Sequence, residues 1–102
     1  MDVTCWSNGM PLKTGSGYGI RISKYDRDRH FKKHWKNIIL IIPKTGKILA
    51  SLSPSFWREC VEIRSKHIGL FLIHNRLHKW HRGRPHVLNL ISIRSNEFKL
   101  KI

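Results

Sequence analysis

Hydrophobic and polar residues alternate in several short stretches of this chain. Tyr18, Ile20 and Ile22 alternate with Gly19, Arg21 and Ser23, the two-residue period of a strand buried on one face. Ile48, Ala50 and Leu52 alternate in the same way with Leu49, Ser51 and Ser53. In the last stretch Phe98, Leu100 and Ile102 point inward, with Lys99 and Lys101 outward. The run IILII at Ile38–Ile42 is apolar on both faces and predicts a central strand or a barrel wall. Pro43-Lys44-Thr45-Gly46 follows, with glycine where a positive φ is needed, so a hairpin joins this strand to the Ile48–Leu52 strand. Val87–Ile93 and Phe98–Ile102 form a second hairpin around Ser95-Asn96. Val3–Trp6 is a further strand candidate, but Gly9, Pro11, Gly15 and Gly17 surround it. Residues 1–17 are therefore expected to form a loosely held arm, and residues 18–102 a single domain.

A helical period replaces alternation between Leu52 and Trp80. Ser53-Pro54 is a helix start, and at 100° per residue Val61 to Leu77 carries two apolar stripes on nearly opposite sides. Val61, Ile68 and Leu72 make one stripe; Ile63, Leu70, Ile73 and Leu77 make the other. A helix wet on one side needs only one, so cover on both is expected, with a second copy of the chain as a candidate partner in a homodimer. Asn75 is the expected left-handed stop, and Cys60 on the apolar side is expected to be a buried packing thiol. Tyr25–Trp35 is dense in charge and predicts one or two exposed helical turns. The expected fold is α+β: a small, mostly antiparallel sheet or open barrel with one long helix, about 53–75, and one short charged helical turn.

Composition adds the strongest functional signal. Twenty Lys and Arg stand against six Asp and Glu, a formal charge of +14 in 102 residues. Such an excess repels itself in the compact state and points to a polyanionic partner. No long basic amphipathic helix supports a membrane surface as that partner, and the longest uninterrupted apolar run, Ile38–Ile42, is far too short to cross a bilayer. Cys5 and Cys60 match neither a disulfide framework nor a metal clip, so the expected setting is reducing and intracellular, cytoplasmic or nucleoid-associated.

Two basic clusters are the candidate nucleic-acid contacts. The first holds Arg21, Lys24, Arg27, Arg29, Lys32, Lys33 and Lys36, interleaved with Tyr25, Phe31 and Trp35 and opposed only by Asp26 and Asp28. The second holds Arg76, Lys79, Arg82 and Arg84 beside Trp80, with no acid. Loop cations neutralise phosphates, arginine can fork onto guanine, and aromatics stack on unpaired bases.

The layout from Tyr18–Ser23 through a charged turn to Trp35–Ile42, then an apolar helix, the Lys79-Trp80-His81-Arg82-Gly83 loop and a closing hairpin, resembles the DNA-binding pseudobarrel domains. These occur in plant transcription factors and as recognition domains of restriction endonucleases. The resemblance implies a barrel that grips duplex DNA. It also implies a hairpin between Leu52 and the helix that this chain lacks. Gly19-Ile20-Arg21-Ile22-Ser23-Lys24 before a charged turn is also similar to the swapped-hairpin regulators, whose short chains dimerise.

Metal and catalytic chemistry find little footing. His74, His78 and His81 have a spacing that could converge on zinc along one helix, but Asn75 is expected to end it and no carboxylate stands near to orient the rings. Neither a metal nor a cofactor is expected. Of the acids, Asp26 and Asp28 sit among arginines, and Glu59 and Glu62 form the only other pair. No nucleophile elbow or phosphate-cradling glycine loop appears, so an enzyme is not expected. The sequence points to a small basic domain binding duplex DNA. The alternatives are a single-strand DNA or RNA binder that stacks bases on aromatics, and a protein-interaction factor using the double-striped helix.

Overall fold

A computed structural model describes all 102 residues. The strands are β1 Asp2–Ser7, β2 Tyr18–Arg21, β3 Asn37–Ile42, β4 Gly46–Ser51, β5 Glu62–Arg64, β6 Val87–Arg94 and β7 Glu97–Lys101. The helices are α1 Lys24–His30 and α2 Lys66–His74, with a 3₁₀ turn at Pro54–Trp57. The strands form one sheet in the order β4-β3-β7-β6-β1-β2-β5. Only β3 and β7 pair in parallel; every other ladder is antiparallel. The edge strands β4 and β5 approach each other without pairing, so the sheet is a nearly closed barrel. The expected α+β fold with a small, mostly antiparallel sheet curled toward a barrel is therefore found.

Inward residues are those that the alternation marks. Ile20 pairs with Cys5 and Ile63, Leu40 with Ile48 and Phe98, and Leu90 with Leu100. All of these except the half-buried Ile48 are buried. Removing such a side chain from water stabilises by about 1.5–3 kcal/mol. Ile102, expected inward, is exposed beyond the last rung.

The long helix is the main correction. Ser53-Pro54 starts only a 3₁₀ turn, the chain turns again through Arg58–Cys60, and Ile63 pairs with Ile20 as part of β5. Val61 and Ile63 satisfy a two-residue period as well as a helical one, and β-branched residues packed into a sheet settle it in favour of the strand. A second cap starts the true helix: Ser65 Oγ accepts from the His67 N–H. The double stripe therefore does not exist. α2 buries Ile68, Phe71 and Leu72 and leaves Leu70 exposed. Cys60, in the turn before β5, is exposed rather than buried.

Residues 1–17 are not a loose arm. β1 lies between β6 and β2 and buries Val3 and Cys5, because pairing on both edges satisfies its backbone. The β1–β2 loop is fastened to α2 at a close glycine contact between Gly15 and Gly69.

Strand directions give the barrel two poles. β2 and β4 run toward one pole, where α1, the 3₁₀ turn and the Ser95-Asn96 turn gather. There Phe31 stacks on Phe98 at 4.8 Å, and Phe56 and Trp35 close around it. The opposite pole carries the β1–β2 loop, the β3–β4 turn, α2 and the α2–β6 loop. No helix is long and apolar enough to cross a membrane.

Candidate nucleic-acid interface

The first basic cluster gathers at the α1 pole and is largely engaged by the protein itself. Arg27 is only 8% exposed. It donates to the carbonyls of Phe56 and Arg58, pairs with Asp28 at 3.0 Å and lies over the Trp57 ring. Expected from sequence to meet phosphate, Arg27 is instead the peg that ties α1 to the 3₁₀ turn; a buried guanidinium must spend its donors within the fold. Lys24 meets Glu59 at 2.9 Å, and that hydrogen bond, reinforced by the lysine charge, holds the Glu59 carboxyl below its usual range. Arg29 reaches the Tyr25 hydroxyl at 2.6 Å and lies over its ring.

Arg21 faces outward on β2 and shares Glu62 with Arg64. The Glu62 side chain is 3% exposed, one of its oxygens lacks a hydrogen-bond partner, and Arg64 continues onto the Trp6 ring at 4.7 Å. Lys32, Lys33 and Lys36 remain exposed and unpaired in the loop before β3. Of the aromatics of this cluster, Phe31 is buried and Trp35 half-buried against Phe98, while the exposed Tyr25 carries Arg29 on its ring.

The second cluster sits at the opposite pole. Helix α2 ends in a Schellman arrangement in which the Leu77 N–H donates to the Leu72 carbonyl and the Arg76 N–H to that of Ile73. The left-handed residue is Arg76, at φ 55°, and not Asn75, whose side chain donates instead to the Phe71 carbonyl. Beyond it Trp80 is half-buried against the core and meets His86 edge-on, and a His86 ring nitrogen lies 2.9 Å from the Lys79 carbonyl. Trp80 is therefore an anchor of the loop, and Arg76, Lys79, Arg82 and Arg84 project from it exposed and without an ion-pair partner.

Charge is divided between the poles. Asp26 and Asp28 lie on α1 and Glu59 follows the 3₁₀ turn, while Asp2, Glu62 and Glu97 are each the first residue of a strand that runs away from the α1 pole. The connections at the α2 pole, residues 8–17, 43–45 and 65–86, contain no acid. They carry Lys13, Lys44 and Lys66 beside the second cluster, and Lys101 ends β7 there. Spacing along the chain does not single out these lysines, because strand direction is what brings them together; the sequence signal for this pole is the absence of acid from Ser65 to Asn96.

The histidines with zinc-like spacing do not gather. α2 ends at His74, which leaves His78 and His81 on the loop, and no three metal-ligating side chains come together. His78 instead meets Tyr18 edge-on. No protein-family model matches the chain, and no curated protein or solved structure matches it.

Proposed function

We propose that this protein binds nucleic acid, duplex DNA in first place, through the α2 pole of its barrel. The observation that carries the reading is the segregation of charged side chains, with acid-free connections at one pole and every Asp and Glu toward the other. Unpaired cations on short connections suit phosphate neutralisation, in which released counterions supply most of the affinity. Duplex is favoured over single strands because the tryptophans and phenylalanines are occupied in the core or under arginines, leaving little platform for unpaired bases. The molecule, 32 × 29 × 20 Å, can cover about one turn of duplex, whose length is about 34 Å. The protein-interaction alternative loses its surface with the double-striped helix.

The test is a competition assay of duplex DNA, single-stranded DNA and structured RNA at two salt concentrations. Duplex should win, with a log–log salt slope of about −0.9 per phosphate neutralised. A flat salt response, or single strands outcompeting duplex, defeats the reading.

A further inference from the structure

The α2 pole also holds a cleft of about 690 Å³ between α2, the β3–β4 turn and the end of β7. One wall is a stripe of α2 in which His67 and His74, two turns apart, bracket Leu70 and Phe71. The facing wall is the Pro43–Thr45 turn, where Lys44 holds φ 66°, a conformation that glycine or asparagine adopts more readily. Lys101 and Ile102, at the end of β7, complete the lining, which includes no Asp or Glu. A second cleft of similar volume lies across the same turn and adds Lys99. Lys44 and Lys101 line both clefts, so the two meet at a pair of lysines that neither hydrogen-bond nor ion-pair with the protein.

We infer that the first cleft is a binding site for one nucleotide unit, its phosphate held between Lys44 and Lys101 and its base laid against the exposed Leu70, over the buried Phe71. The volume falls within the range of small-ligand sites, about 300–1,000 Å³. The lysines come from the β3–β4 turn and the end of β7 and the apolar stripe from α2, a division that matches the charged phosphate and flat base of a nucleotide. Imidazoles at both ends of the stripe can hydrogen-bond ring nitrogens or exocyclic groups. The second cleft gives a continuing chain a basic path over Lys99, so a strand end and a free nucleotide present the same chemistry. This inference stands on the cleft and not on the duplex reading.

The test is calorimetric titration of the full chain with a 5′-mononucleotide, the matching nucleoside, and short single strands with and without a 5′-phosphate. The nucleotide should bind, and both loss of its phosphate and the K44A/K101A double substitution should weaken it by about tenfold or more, the effect of one or two charge-assisted hydrogen bonds. The R58A/R94A variant, which removes the same charge at the α1 pole, should bind the nucleotide as the unaltered protein does. A 5′-phosphorylated strand that competes with the nucleotide assigns the site to strand ends; a nucleotide that only free nucleotides displace assigns it to the small molecule, and both support the site. No heat with nucleotide at millimolar concentration, equal binding of nucleoside and nucleotide, or unchanged affinity in K44A/K101A overturns it. Duplex affinity measured on the same variants separates this failure from failure of the duplex reading.

Discussion

Gly15 and Gly69 meet backbone to backbone: a Cβ built on Gly69 would overlap the Gly15 carbonyl, and one on Gly15 would overlap the Lys66 carbonyl. The contact seats α2 on the β1–β2 loop, and Gly15 holds φ +96° there, a region closed to most side chains. Gly→Ala inside a helix ordinarily stabilises by about 0.5–1 kcal/mol. Gly69→Ala should do the reverse, because the loop must move off the helix to admit the methyl group, and a loss of about 2 kcal/mol or more is expected from overpacking. Urea unfolding of Gly69→Ala beside an exposed-helix alanine control measures it.

Arg27 yields a second prediction. Arg27→Ala leaves the carbonyls of Phe56 and Arg58 without their donor beneath the Trp57 ring. Stability should fall by about 1–3 kcal/mol, the cost of orphaned buried polar groups. Arg29→Ala, on the exposed face of the same helix, should stay within about 0.5 kcal/mol. Thermal unfolding distinguishes the two, and equal losses would show that the guanidinium is not the peg.

Where a segment has one available period, the sequence is readable. β2, the β3–β4 hairpin and the β6–β7 hairpin lie where alternation and the Pro43–Gly46 turn put them, because an exposed face and a positive φ at Gly46 leave single-residue marks. Leu52 to Leu77 is not readable in this way, because Val61 and Ile63 fit both periods and only pairing with β2 decides between them. Gly15 and Gly17 read as flexibility, although each supplies a positive φ in an ordered loop. For the candidate site, Arg76, Lys79, Arg82 and Arg84 are legible as an acid-free run. The burial of Arg27 and the arrival of Lys44 and Lys101 at the same pole depend on packing across the barrel, which no local spacing encodes.

Alkaline pH should weaken the fold through Cys5. Burial between β6 and β2 pushes its thiol up to about 11 from 9.0, offset in part by a backbone hydrogen bond. The folded state prefers the neutral thiol, so this contribution is complete below pH 9 and is lost as pH rises through 11, by roughly 2–3 kcal/mol at most. Cys5→Ala should flatten that part of the stability profile relative to the unaltered protein, once its own packing cost is subtracted. Exposed Cys60 should be alkylated in the native state and Cys5 only after denaturation.

Arg76 should show a trade between fold and binding. Its left-handed backbone closes α2 at a position where glycine is favoured, at a cost of about 1 kcal/mol for a residue with a side chain. Arg76→Gly should therefore raise the unfolding midpoint while weakening duplex binding. A variant that gains stability without losing affinity would remove Arg76 from the interface.

The two poles can be set against each other directly. Arg82 and Arg84 project from an acid-free loop anchored by Trp80, whereas Lys32 and Lys33 lie in the loop before β3 at the other end of the barrel, the end that holds Asp26, Asp28 and Glu59. Each double alanine variant removes two exposed cations, so both should leave stability within about 0.5 kcal/mol per substitution. Their effects on binding should differ. R82A/R84A should shallow the log–log salt slope by about two units, one for each phosphate left without its arginine. K32A/K33A should leave the slope nearly unchanged, since these lysines lie at the pole opposite the proposed contacts and the change in long-range attraction is screened beyond about 10 Å at 0.1 M salt. Equal changes in slope would mean that the surface extends over both poles, and a larger change in K32A/K33A would place the interface around α1.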